Sequence, residues 1–234
     1  MKAYYKSHVG LVREQNEDTV LVDEQRGIFI LADGMGGHNA GEVASLLAAE
    51  TLRDALQRQT ASADLLRLAF RRANRAVFER QLGEESLSGM GTTLTALWEE
   101  GDHVLLGHVG DSRAYLYAGG RLRQISEDHS YVADLVRAGA ITEEEAFHHP
   151  RRNVITRAVG TDESVRADVV EILKAPGEKW LLCSDGLTDL VRDPEIAEIL
   201  AQFSGQEAVE QLVDKALLYG GKDNVSVLLV EVDA

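Results

Sequence analysis

Four aspartates in this chain stand where an apolar run meets a turn. Phe29-Ile30-Leu31-Ala32 runs into Asp33-Gly34, Leu106-Gly107-His108-Val109-Gly110 into Asp111, and Leu181-Leu182-Cys183-Ser184 into Asp185-Gly186. A fourth, Asp223, precedes Val225-Ser226-Val227-Leu228-Leu229-Val230. Strand ends deliver the first three carboxylates to one rim of a sheet, and antiparallel pairing brings the start of one strand beside the end of its neighbour. The pattern predicts that four carboxylates from distant stretches converge.

Carboxylates gathered in this way repel, and their joint ionisation is costly unless cations sit between them. Oxygen ligands with no neighbouring cysteine suit hard ions such as Mg2+ or Mn2+ rather than structural zinc. Gly34 lets its backbone carbonyl approach an ion with no side chain in the way. Asp-Gly is also a common turn dipeptide, and one instance alone would mark a turn. Two of them after apolar runs, with Asp111 and Asp223 in matching places, favour a metal site.

Helices and sheets must position these groups. Apolar residues at spacings of three and four predict one helix through Ala44, Leu47, Ala48, Leu52, Ala55 and Leu56, and another through Leu66, Ala69, Phe70, Ala73 and Val77. A third runs through Ala208, Val209, Leu212, Val213, Ala216 and Leu217, after a short helix that Asp193 caps and Pro194 opens. Strands are expected at 27–32, 92–98, 104–109, 113–117, 179–184 and 225–232, where β-branched or aromatic residues cluster. Tight turns at 99–102 and 118–121 imply antiparallel sheets. Ser130 and the capping-box form of Thr142-Glu143-Glu144-Glu145 predict two short helices in a surface flap at 130–153, a place for a substrate-selecting lid.

With 234 residues and no linker, repeat or low-complexity tract, a single domain over 1–234 is expected. A formal net charge of -15 disfavours nucleic acid and offers no basic stripe for a membrane surface. The N-terminal residues lack a signal pattern, no apolar run is long enough to span a bilayer, and the lone Cys183 reads as a small core residue. A cytoplasmic monomer is the expectation.

Eight motifs then occur in order: Arg13-Glu14-Gln15-Asn16-Glu17-Asp18, Ala32-Asp33-Gly34-Met35-Gly36-Gly37-His38, Gly89-Met90-Gly91-Thr92-Thr93, Gly110-Asp111-Ser112-Arg113, Glu127-Asp128-His129-Ser130, Asn153-Val154-Ile155-Thr156-Arg157-Ala158-Val159-Gly160, Ser184-Asp185-Gly186-Leu187 and Gly221-Lys222-Asp223-Asn224. Through them nearly the whole chain resembles the metal-dependent protein phosphatases of type 2C, in their bacterial serine/threonine branch. The resemblance implies an α+β fold, a four-layer αββα sandwich of two antiparallel sheets flanked by helix pairs, with the metals at one end. It implies that Asp33 bridges two cations, that the Gly34 carbonyl binds one, that Asp185 and Asp223 bind the other, and that Asp111 with Asp185 forms a third, weaker site. Thr92, Thr93, Asn153, Thr156 and Arg157 are expected to brace the sheet and lid.

The implied activity is hydrolysis of phosphoserine and phosphothreonine in proteins. Two cations about 3.5–4 Å apart share a water or hydroxide, lower its pKa and hold it in line with phosphorus. Arg13 is the candidate phosphate clamp, because a guanidinium fork binds two phosphoryl oxygens at once. Glu17 and Asp18 would orient metal-bound waters. His38 is the nearby histidine able to protonate the leaving alkoxide, although eukaryotic relatives place theirs where this chain has Met35. Anchoring its loop is the other role open to it, a metal-bound water then being the acid. His108 reads as a hydrogen-bonded core residue and His129 as a loop anchor. A cognate serine/threonine kinase is an expected partner. The rival readings are a catalytically silent binding module of the same fold, which the full set of aspartates argues against, and a two-metal phosphodiesterase, which would recruit more histidines.

Overall fold

The computed structural model describes residues 1–36, 40–57 and 59–233. Its core follows from strands that are apolar on both faces and so require cover on each side. In 28–32 successive residues alternate in direction: Ile28, Ile30 and Ala32 pack against helices, whereas Phe29 and Leu31 face a second sheet.

In chain order the elements are β1 (Lys2–His8), β2 (Asp18–Asp23), β3 (Ile28–Met35), α1 (Ala40–Leu56), α2 (Ala63–Gly83), β4 (Gly91–Thr92), β5 (Leu94–Glu100), β6 (His103–Val109), β7 (Arg113–Ala118), β8 (Arg121–Gln124), α3 (Tyr131–Arg137), α4 (Glu143–Phe147), β9 (Asp168–Leu173), β10 (Lys179–Cys183), α5 (Asp185–Thr188), α6 (Asp193–Gln202), α7 (Gly205–Leu218) and β11 (Val225–Glu231). A short 3-10 turn (Glu85–Leu87) follows α2. One sheet has the order β1-β11-β10-β7-β8, the other β2-β3-β5-β6-β9, with β4 paired to β3, and every pairing is antiparallel.

Three apolar layers hold the stack together. Leu52, Leu66, Phe70 and Val77 of α1 and α2 close over the second sheet, and Ile196, Leu200, Val209 and Leu212 of α6 and α7 over the first. Between the sheets lie Leu97, Leu106, Leu116, Trp180, Leu182 and Leu228. This is the expected four-layer αββα sandwich.

The structure adds four strands that the sequence pattern does not announce, β1, β2, β8 and β9. All four are edge strands, and β1, β8 and β9 carry charged or exposed residues, so their apolar content falls below the usual strand signal. The start of α6 also differs from expectation. Arg192 is the residue before the first turn, Asp193 is helical, and its Oδ1 accepts a hydrogen bond from the Tyr115 hydroxyl at 2.9 Å instead of capping. Over α3 and α4 the caps form on Ser130 and Thr142, and neither helix carries a buried side chain. Among the described residues no helix is long and apolar enough to cross a membrane.

Candidate metal centre

Register places the first two carboxylates. In the β2–β3 ladder Asp18 stands directly opposite Asp33, an arrangement of like charges that destabilises a sheet unless something neutralises it. Asp33 is fixed from the β4–β5 side: its N–H donates to Thr93 Oγ1 at 2.9 Å, and its carbonyl accepts from the Thr93 N–H and the Thr92 hydroxyl, both at 2.8 Å. Thr93 Oγ1 also meets Ser112 Oγ at 2.8 Å, beside Asp111, so one pair of threonines carries two of the acidic corners.

The other sheet contributes Asp185 and Asp223. Ser184, at the end of β10, donates to Asp18 Oδ2 at 2.9 Å and accepts from the Ser226 N–H at 2.9 Å, which ties the two sheets together below the rim. Asn224 is buried and stitches the loop after β1 to the start of β11. Its amide donates to the carbonyls of Val9 and Gln15 at 2.9 and 2.8 Å, and its Oδ1 accepts from the Glu17 N–H at 2.8 Å. That loop brings Arg13 to the site, where its guanidinium bonds Asp223 Oδ2 at 2.7 Å with half of the side chain exposed.

Gly34 is required for a different reason from the one its sequence position suggests. A Cβ there would lie 2.1 Å from the Gly41 carbonyl oxygen and 2.6 Å from that of Glu17, so α1 and the Glu17 strand entry close on bare backbone. The Gly34 N–H donates to that same Glu17 carbonyl at 3.1 Å.

Electrostatics show what kind of ligand the site would take. Burial, then the charges of Asp18, Asp185, Asp111 and Asp223, hold the Asp33 carboxyl well above the usual carboxylate range. Burial and the charges of Asp111, Asp189, Asp223 and Asp18 do the same to Asp185. Burial is also the first cause for Asp111, pushed up to about 7 with help from Asp128, and for Asp18, pushed up to about 6 against the opposing hydrogen bonds of Ser226 and Ser184. Burial raises Glu17 as well. Among the described residues, one oxygen each of Asp18 and Asp111 is buried with no hydrogen-bond partner, and of the rim carboxylates only Asp223 forms an ion pair, with Arg13.

An all-oxygen donor set with excess negative charge and orphaned carboxylate oxygens fits hard divalent cations. Among the described residues no three acidic, histidine or cysteine side chains close round one point.

The structure thus brings Arg13, Glu17, Asp18, Asp33, Gly34, Asp111, Asp185 and Asp223 to one rim, whereas His38 lies outside the described residues. Sequence reasoning gave Asn224 no role and passed over Asp189, whose charge acts on both Asp111 and Asp185 and which pairs with Arg152 at 3.1 Å. The four-residue spacing from Asp185 on a short helix was the available signal for Asp189. Beside the rim a cavity of about 470 Å3 runs under α3 and α4, lined by Asp111, Arg113, Asp185, Val136 and Phe147 among others.

The family model described as protein phosphatase 2C matches residues 7–218. The serine/threonine phosphatase stp of Listeria monocytogenes is 41% identical over 243 residues, which cover 100% of this chain and 96% of that protein. A crystal structure of the Mycobacterium tuberculosis serine/threonine phosphatase PstP/Ppp superposes with a TM-score of 0.94 at 40% identity, covering 100% of this chain and 99% of that one. The catalytic domain of PstP in complex with two manganese ions gives 0.91 at 39% identity, covering 100% and 98%. By sequence, fold and an acidic rim that calls for divalent cations, the chain belongs to the protein phosphatase 2C family, in its bacterial metal-dependent serine/threonine phosphatase branch.

Proposed function

We propose that the chain removes phosphate from phosphoserine and phosphothreonine side chains of proteins by direct attack of water, with no phosphoenzyme, at the rim of Asp33, Asp111, Asp185 and Asp223. The supporting observation is the convergence of carboxylates, with Asp33 and Asp185 held well above the usual range by burial and by their acidic neighbours, and with Arg13 on Asp223 as the one basic partner among the described residues. Divalent cations held there, Mn2+ or Mg2+ and two or three in number, would lower the pKa of a water and neutralise phosphoryl charge. Asp33, central to the repulsion, would bridge two of them, the Gly34 carbonyl would hold one and Asp185 with Asp223 the other, while Asp111 with Asp185 would hold a third.

Hydrolysis of a phosphomonoester demands on the order of 20 kcal/mol of barrier lowering, so charge stabilisation must dominate. Arg13 is placed for this, since its half-exposed guanidinium can turn from Asp223 to grip two phosphoryl oxygens. Glu17 and Asp18 would accept hydrogen bonds from water and fix its direction. As the water oxygen bonds phosphorus and the bond to the serine or threonine oxygen breaks, the departing alkoxide takes up a proton. His38 is assigned as its donor on its chemistry near neutral pH. An unchanged acidic limb of log kcat in His38→Ala would remove that assignment.

In this reading residues 1–234 act as one catalytic domain, and the flap at 130–153 covers the cavity that receives the peptide. Phosphoproteins are the substrates, with a cognate serine/threonine kinase among the partners, in the cytoplasm and with the enzyme a monomer. The charge of -15 argues against nucleic acid. The test is phosphate release from a phosphothreonine peptide with Mn2+, with chelator, and by Asp185→Asn. Turnover lost in both latter cases is expected, whereas no turnover by the unaltered chain with Mn2+ would favour the silent binding module.

A further inference from the structure

Gly110, the residue before Asp111, has φ +114, and a Cβ on it would meet Thr93 Cβ at 2.5 Å, so the turn that presents Asp111 is confined to glycine. Glycine lacks a side chain to hold it, yet every polar group of this one is taken. Its N–H donates to His129 Nδ1 at 3.0 Å. Its carbonyl accepts from the His129 N–H at 2.8 Å and from His108 Nε2 at 3.0 Å. The two imidazoles are buried and stacked, with ring centroids 5.0 Å apart.

The partners show which ring nitrogens accept. An amide N–H can only donate, so His129 Nδ1 is bare, while its Nε2 lies between Asp168 Oδ2 at 3.0 Å and the Arg157 guanidinium at 2.8 Å. A carbonyl can only accept, so His108 carries its proton on Nε2 and takes the Thr95 hydroxyl on Nδ1 at 2.9 Å. Arg157 holds the far end, donating to Asp168 Oδ1 at 3.0 Å and to the Arg166 carbonyl at 3.2 Å. Each ring nitrogen is used, and the chain of bonds runs from β5 to the start of β9. The contrast lies one residue on: beside a glycine held by three hydrogen bonds, Asp111 has a buried Oδ1 with no hydrogen-bond partner among the described residues.

We propose that His108 and His129 are positioning residues for Asp111: they clamp the Gly110 peptide from both sides and so aim the Asp111 carboxylate at a divalent cation while leaving its oxygen free. The proposal rests on the reading of Asp111 as a metal ligand. Fixing a ligand's carrier in this way is worth about 10–100-fold in metal affinity in comparable supporting shells.

The test uses the geometry of amides. Asparagine places its oxygen near the Nδ1 position and can accept from Gly110, whereas glutamine reaches the Nε2 position and serves Asp168 instead. His129→Asn, His129→Gln and His129→Leu are compared by calorimetric titration with Mn2+, with melting temperature as the check on folding. The expected result is that His129→Asn keeps the weakest Mn2+ site within about threefold of the unaltered chain, while His129→Gln and His129→Leu weaken it about tenfold or more. Equal affinities in the Asn and Gln variants, whether both kept or both lost, would overturn the proposal. Should the His129 variants fail to fold, His108→Gln, which keeps the donor to the Gly110 carbonyl, is expected to bind that ion better than His108→Asn, and equality there counts against it. Absence of Mn2+ binding by the unaltered chain would instead defeat the metal-centre reading itself.

Discussion

Asp18 faces Asp33 across the β2–β3 ladder, and its burial makes the charge on it costly. Its carboxyl rises from the ordinary 3.8 to about 6, which at about 1.36 kcal/mol per pH unit amounts to roughly 3 kcal/mol. Between those two values the folded chain still holds a proton that the unfolded chain has shed, so metal-free stability falls as pH rises through that window and the full cost is present above it. Asparagine keeps an oxygen for the Ser184 hydroxyl and carries no charge. In chelator at pH 8, Asp18→Asn is therefore expected to be more stable than the unaltered chain by about 1–3 kcal/mol, the lower figure allowing for relaxation around the charge. For a chain of this size that raises Tm by roughly 2–10 °C. At pH 5 the gain falls to about half, and with saturating Mn2+ it disappears, because cations then supply the missing positive charge. Calorimetric melting at both pH values, with and without Mn2+, reads all of these. A lower Tm for Asp18→Asn in chelator at pH 8 would refute the reasoning.

Two further substitutions probe the packing and the clamp. Gly34→Ala forces a methyl group against the Gly41 and Glu17 carbonyls and is expected to lower stability by at least about 2 kcal/mol in urea unfolding, an unchanged midpoint contradicting the close approach. Arg13→Ala is expected to lower kcat/KM on a phosphothreonine peptide by about 10²–10³-fold while leaving Mn2+ binding equal or tighter, since Asp223 loses its competing partner. Retained kcat/KM would remove Arg13 from the phosphate.

The aspartates of the site were legible because each is attached to an apolar run that could only be an inner strand, and a carboxylate at such an end is conspicuous. Layered sheets with helices outside were legible from the helix stripes and the strand clusters, whereas the four-layer αββα arrangement came from the family resemblance. The opposition of Asp18 and Asp33 was not, because it depends on the register of β2, whose six residues carry no distinctive burial alternation. Nor was the part played by Asn224, whose partners lie more than 200 positions away in sequence. His108 and His129 read as a core residue and a loop anchor, and that description stands. What the sequence could not show is that both meet on the same glycine, because stacking across 21 residues depends on how β6 and the turn before α3 fold together.

The most direct measurement is the calorimetric titration of Mn2+ into chelator-stripped protein, unaltered and as Asp33→Asn. Convergence of the acidic side chains on divalent ions requires at least two sites in the unaltered chain and the loss of most binding in Asp33→Asn, with the variant still folded. Equal stoichiometry and affinity in the two proteins would contradict it.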